Sequence, residues 1–515
     1  MNTDVSFSTP NLVEEADDAL ACRNSDGGYR MIDYYVENRR EEPFTLVEPP
    51  NRKTLTRTES IASLKKSRTS LEQVQTKIGE QIHQEPNRLN AILASDRDRY
   101  GFRKANHYVK LEDYNGWWIE YAPYLARRKK KWAKLMAKNG LLVTKNGSPT
   151  RFPPRSEELR RYVRKGIPAE WRGNAWFFFA RGHDKLKDNK GVYDKLVEET
   201  MDMINENTEA IEKDLHRTFP ENVHFNNITQ QGTDQESALL QTLRRVLKCF
   251  SKYKPTIGYC QSLNFIAGLL LIFLDEERAF WMLVIITERY LPGIHEFNLE
   301  GVNVHQGVLM LCLRQYLPNV WSLMHETSHS NNNSFLYELP TLSFCTTSWF
   351  MSIFVGVMPI ETTLRVWDCL FYEDSKAIFQ VSLAIFKILE PQMLELGSIR
   401  SDDDGILSAE LFQLIQNSPK RLLNANVLMQ ECFRFSSFSK LSQEEVQNCK
   451  KYVVESRTRY NELIKRRSAV GMDEQERREL MKSAVLPENK QIGLKSMNWN
   501  GRLNNRMRRI QQRIR

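Results

Sequence analysis

The chain has 515 residues, of which 41% are hydrophobic and 27% charged, with a formal net charge of +9 and eight cysteines. Its length admits one large domain with extensions or a few smaller ones. The cysteines form no C-x-x-C pair and have no metal-ligand spacing with histidine. No basic segment followed by an apolar stretch opens the chain, and the longest apolar run, 265–274, ends at Asp275-Glu276-Glu277-Arg278, short of the roughly 18 residues a membrane span requires. A disulfide scaffold, a zinc module, a secreted protein and a membrane-spanning one are thereby set aside. The expectation is a cytoplasmic protein with buried thiols and at most peripheral membrane attachment.

Residues 1–99 are acidic at first and then rich in Ser, Thr, Lys and Arg, with few aromatics. Such a composition cannot offset its ordering entropy by burial, so disorder is expected there. Ser60 and Ser67 follow basic residues and are candidate phosphorylation sites, with an unmodified linker an equal alternative. Residues 100–160 bring in Tyr108, Tyr114, Trp117, Trp118, Tyr121, Tyr124 and Trp132 around the basic run Arg127-Arg128-Lys129-Lys130-Lys131. Basic and aromatic side chains together are one sign of nucleic-acid binding. Here the charges cluster on one helix with no recognition module about them, so packing of the Trp face onto the next domain is expected and a nucleic-acid partner is not.

From 161 to 392 the apolar periodicity is helical. Leu239, Leu240, Leu243, Val246, Leu247 and Phe250 form one stripe of a helix over 234–253, with Arg244, Arg245 and Lys248 opposite. Further helices are predicted at 264–274, 279–290, 303–316, 344–357, 360–371 and 375–389, separated by Pro292-Gly293, Pro318, Pro340 and Pro359. No strand-like alternation or short-period repeat occurs. The fold class is therefore all-α, a single multi-helix domain. A more polar helical extension follows over 393–486, with helices at 409–415, 442–465 and 474–484, and 487–515 is a tail whose end carries six arginines and no acid. Such a tail suits contact with anionic lipid, although a solvated terminus is the commoner fate of a charge run.

Two short segments carry chemistry. In Ile211-Glu212-Lys213-Asp214-Leu215-His216-Arg217-Thr218-Phe219-Pro220, a helix that Pro220 terminates would hold Arg217 in its last turn. Asp214, three residues earlier, would brace the guanidinium while Ile211 and Leu215 face the core. An Asp-x-x-Arg alone is most often a surface ion pair. In Gly258-Tyr259-Cys260-Gln261-Ser262-Leu263-Asn264, Gly258 shapes a loop that delivers Tyr259 and Gln261 to the start of a very apolar helix. A lone glutamine there is most often bonded to nearby backbone. Arginine supplied in trans and a water-orienting glutamine are nonetheless the two groups GTP hydrolysis uses.

With Gly166-Ile167-Pro168-Ala169-Glu170-Trp171-Arg172-Gly173-Asn174-Ala175-Trp176, Asp214-x-x-Arg217 and Tyr259-Cys260-Gln261 in order, followed by Ala279-Phe280-Trp281, Ser348-Trp349-Phe350 and Arg365-Val366-Trp367-Asp368, the chain resembles the TBC-domain GTPase-activating proteins that act on Rab GTPases. The resemblance covers roughly 161–391. It implies that Arg217 and Gln261 are an arginine finger and a glutamine finger given in trans to a GTP-bound Rab, which itself binds the GTP and magnesium. The protein would then be an activator rather than an enzyme with a cofactor of its own. Asp214 and Tyr259 would orient the fingers, and Gly166, Pro168, Arg172 and Trp176 would hold the domain together. Ser262 stands where many members have Gly. The long charged extension is similar to that of fungal members acting on exocytic Rabs in vesicle traffic and polarised growth. The alternative is a catalytically silent Rab-binding scaffold.

Overall fold

The computed structural model describes residues 57–83, 93–141, 147–226, 236–326, 336–337, 339–399, 404–434 and 438–467. The predicted helix at 474–484, the arginine tail, Cys22 and the side chain of Ser60 lie outside the described residues. The described chain is helical: α1 Arg57–His83, α2 Leu111–Lys138, α3 Glu157–Arg164, α4 Arg172–Phe179, α5 Gly182–Asp188, α6 Val192–Thr200, α7 Glu206–Leu215, α8 Ala238–Tyr253, α9 Leu263–Phe273, α10 Glu276–Ile285, α11 Glu300–Tyr316, α12 Pro318–Glu326, α13 Thr347–Met351, α14 Ile360–Glu373, α15 Lys376–Ile399, α16 Asp404–Asn417, α17 Ala425–Arg434 and α18 Gln443–Arg467. Among the described residues the only β-pairing is an isolated bridge between Arg97 and Arg103.

Helix starts follow from local chemistry. Ser156, Ser237 and Asp275 each accept from a backbone N–H in the first turn of α3, α8 and α10, and Asn205 and Thr208 form a reciprocal capping box at α7. Helix α8 is central. Its apolar stripe from Leu239 to Phe250 is buried as expected. Its opposite face is covered as well: Arg244 bonds Glu212 and Glu236, Arg245 bonds Glu276 and Ser67, and Lys248 Nζ reaches the Met203 carbonyl.

Two expectations are corrected. Disorder through residue 99 gives way to the long helix α1, whose Leu71, Ile78 and Ile82 are buried in the main core. Gln75 Nε2 of that helix donates to the carbonyls of Leu271 and Leu274, and Ser67 is buried and bonded to Gln241 and Arg245. The single helix predicted over 344–357 is also broken. A 3-10 turn, Thr341–Thr346, leads into the short α13, after which Ile353 and Phe354 take φ of +52° and +63°, values that no continuing α-helix allows.

The Trp-bearing helix α2 packs as its aromatics suggest. Trp132 is fully buried and its Nε1 donates to the Gly166 carbonyl at 2.8 Å; Arg128 lies over the Tyr162 ring and Lys129 pairs with Glu170. The basic run is thus partly engaged in packing. Helix α15 has the length and apolarity of a membrane span, but its residues from Ala377 to Met393 are largely buried inside the protein. It runs through Pro391 without ending.

Candidate functional site

The residues of the Gly-Ile-Pro segment meet Asp368 of α14. Both Asp368 oxygens are used: Oδ1 accepts from Trp176 Nε1 at 2.9 Å, and Oδ2 from the Ile167 N–H at 3.1 Å and Arg172 Nε at 3.4 Å. Arg172 also donates to Glu361 Oε1 at 2.9 Å and to the Tyr100 hydroxyl at 2.7 Å. Burial alone would raise the Glu361 carboxyl, but Arg172 and Arg99 outweigh it and hold it well below the usual carboxylate range. Gly166 sits at φ +101°, and Pro168 opens the 3-10 turn Ala169–Trp171. Gly166, Pro168, Arg172 and Trp176 are all buried.

The arginine segment is placed differently. Helix α7 ends at Leu215, so Arg217 lies in the turn just beyond it rather than in its last turn, and Phe219 at φ +51° redirects the chain into Pro220. Ile211 and Leu215 are fully buried. Arg217 Nε donates to Asp214 Oδ1 at 2.6 Å, with the Arg217 side chain 39% exposed and that of Asp214 3%. The other Asp214 oxygen accepts the Tyr259 hydroxyl at 2.6 Å. One buried carboxylate therefore braces the guanidinium with one oxygen and the glutamine loop with the other. Burial and the adjacent Asp214 push the Tyr259 phenol well above its ordinary value, so it stays protonated and able to donate.

Two further ties join the segments. Asn207 Oδ1 on α7 accepts the Tyr259 N–H at 2.8 Å. Gly258 makes this approach feasible: it takes φ +60°, and a Cβ there would lie 2.7 Å from Asn207 Oδ1. Thr218 Oγ1 donates to the Asp214 carbonyl and accepts from Asn264 Nδ2, while Asn264 Oδ1 accepts the Ser262 N–H. Sequence reasoning missed Asn207, Thr218 and Asn264, because they join segments far apart along the chain and no local spacing encodes them.

Gln261 is half-buried directly before the apolar helix α9. Among the described residues no hydrogen bond engages its side-chain amide, so the bland role of bonding nearby backbone is not realised. Ser262 has φ +92°, which accounts for a preference for Gly at this place, and its Oγ donates to the Met351 carbonyl at 3.0 Å. Cys260 beside it is an inert thiol, pushed up to about 12 by burial.

Residues 169–394 match the family described as the Rab-GTPase-TBC domain, and the chain belongs to that family. It is 47% identical over 426 residues to GTPase-activating protein GYP3 of Saccharomyces cerevisiae, a match covering 73% of this chain and 66% of that protein. It is 46% identical over 405 residues to GTPase-activating protein MSB4 of the same yeast, covering 70% of this chain and 82% of that protein. In fold it is similar to the crystal structure of the Chlamydomonas flagellar RabGAP TBC domain, with a TM-score of 0.50 and 23% identity over 66% of this chain and 99% of that one.

Proposed function

We propose that this protein is a GTPase-activating protein for a Rab-family GTPase, and that it acts by placing Arg217 and Gln261 in the GTPase's own nucleotide site. The observation that carries the reading is the Asp214 carboxylate, bonded at once to Arg217 Nε and to the Tyr259 hydroxyl. It fixes the two loops relative to each other while leaving the Arg217 side chain 39% exposed. A guanidinium braced in this way loses less rotamer freedom on docking. Its free N–H donors would offset charge developing on the transferring phosphoryl oxygens. The Gln261 amide, with no partner of its own among the described residues, would align the attacking water.

The GTP and its magnesium belong to the partner GTPase, so the protein lends side chains to a composite site and is itself unchanged by the reaction. Its similarity to the two yeast proteins, both named as GTPase-activating proteins, supports the activity. We further propose an exocytic Rab as substrate, in polarised vesicle traffic, with the protein cytoplasmic and recruited to membrane in part through its basic segments.

The test is GTP hydrolysis by a panel of purified Rab GTPases with the wild-type protein and Arg217→Ala in parallel. Stimulation of at least one Rab by wild type, lost in the variant, is expected. Binding of a GTP-loaded Rab without faster hydrolysis would instead identify a silent scaffold.

A further inference from the structure

Phe297 is 97% exposed, more than any other large hydrophobic side chain among the described residues. Solitary apolar residues on helix surfaces, such as Val427 at 48% and Val454 at 46%, need no special account. Phe297 is presented in another way. It stands on the loop 293–301, whose two ends touch backbone to backbone: a Cβ on Gly301 would fall 2.1 Å from the Gly293 carbonyl carbon. Inside this pinched loop Ile294 and His295 are buried. The Leu299 N–H donates to the Glu296 carbonyl at 2.9 Å, Asn298 Oδ1 accepts the Glu300 N–H at 3.0 Å, and Arg457 clasps the Glu300 carboxylate. Compact loops with closed necks are often functional. This one holds a naked phenyl ring on a braced tip.

The loop is also joined to the finger site. His295 Nε2 lies 2.8 Å from the Met351 carbonyl oxygen, and that same oxygen accepts Ser262 Oγ at 3.0 Å. Among the described residues His295 Nδ1 has no partner, and burial lowers the imidazole to about 4, so the ring is the neutral tautomer that donates from Nε2. One acceptor thus anchors both the residue after Gln261 and the residue two before Phe297. The walk from His295 to Phe297 adds at most about 7 Å, whereas a standard interface covers about 800 Å² on each partner, a patch roughly 30 Å across. The Met351 carbonyl thus couples the loop that carries Gln261 to the loop that carries Phe297.

We propose that Phe297 is an apolar anchor for the same GTPase that receives the fingers, its ring entering a cleft between apolar side chains on the GTPase surface and setting affinity, while Arg217 and Gln261 set the rate. The proposal rests on the GTPase-activating reading above. Aromatic side chains delivered without ordering cost are the usual centres of binding energy.

The test is steady-state hydrolysis by the most responsive GTP-loaded Rab of a purified panel, using the full-length protein as wild type, Phe297→Ala, Phe297→Asp and Phe297→Leu. We expect KM for the Rab to rise about tenfold or more in the Ala and Asp variants, with kcat within about twofold of wild type, recovery in the Leu variant, and an unchanged Tm because the ring is almost wholly exposed. An unchanged KM in both Phe297→Ala and Phe297→Asp, with Arg217→Ala inactive, overturns the anchor and leaves the activity standing. If wild type stimulates no Rab, the activity falls and the anchor with it.

Discussion

Two arginine–carboxylate pairs in this protein share their chemistry and differ in closure. Arg172 is 1% exposed in its side chain and faces Glu361 and Asp368, themselves at 4% and 0%. Tyr100 completes its set of partners, so no charge is left to present. Arg217 has one carboxylate, Asp214, and an open outer edge. A closed pair fastens helices, because any group taken from it strands a buried charge. An open pair leaves its guanidinium reachable from outside: if the arginine is removed, water reaches the gap and Asp214 keeps the Tyr259 hydroxyl.

The largest expected effect lies on the open side. Arg217→Ala or Arg217→Lys, and to a comparable degree Gln261→Ala, should lower stimulated GTP hydrolysis by roughly 10³- to 10⁵-fold, about 4 to 7 kcal/mol, with Tm unchanged. Lys is expected to fail because it lacks the planar fork. More than about a tenth of the stimulated rate surviving in Arg217→Lys would remove the arginine-finger role.

The closed pair should respond in stability instead of rate. Arg172→Ala leaves Glu361 and Asp368 buried without their shared partner and should cost about 3 to 5 kcal/mol of stability, read by chemical denaturation, while protein that remains folded keeps its stimulation of the Rab. Loss of stimulation with stability intact would erase the distinction between the pairs.

Tyr259→Phe sharpens the comparison from within the open site. It deletes one hydrogen bond to a buried carboxylate, worth about 1.5 to 3 kcal/mol, and loosens the two loops from each other. We expect kcat/KM to fall roughly ten- to a hundredfold, mostly in kcat, with a smaller change in Tm than for Arg172→Ala.

Acid should probe the core without touching Glu361, which Arg172 and Arg99 keep ionised. Burial lowers His224 and His295 to about 4 and His305 further. Unfolded imidazoles take up protons below about 6.5 while the folded ones do not until about 4. Their contribution to stability is full above pH 6.5 and is lost as pH falls through that window. Asp98, pushed up to about 7 by burial, works the other way for one proton. The net expectation is a loss on the order of 1 kcal/mol per pH unit, seen as a falling Tm between pH 6.5 and 4.5. A Tm that rises over this range would show that the three imidazoles are charged when folded.

Much of this was legible in the sequence. The stripe of α8 and the helical character of 161–392 came from periodicity, whereas the finger roles of Arg217 and Gln261 are what the family resemblance implies. Helix α1 escaped because it is polar in bulk, although Leu71, Val74, Ile78 and Ile82 recur at helical spacing; the surrounding Ser, Thr, Lys and Glu hid a narrow stripe. The break after α13 escaped for the converse reason. Apolar content spelled a helix, and neither Ile353 nor Phe354 has the side chain that usually marks a left-handed residue. At the site, Asn207, Thr218 and Asn264 act through partners distant in sequence, which only the folded chain brings together.

Helix α15 has one more consequence. The family match ends at residue 394, yet this helix continues to Ile399 and packs beside α16 and α17, and Val453 of α18 lies against Gly307 of α11. The stretch that the family model matches is therefore shorter than the set of helices packed together here. Exchange of the module between relatives would have to carry its C-terminal helices along, or find substitutes for Leu428, Cys432, Cys449 and Val453, which are buried here.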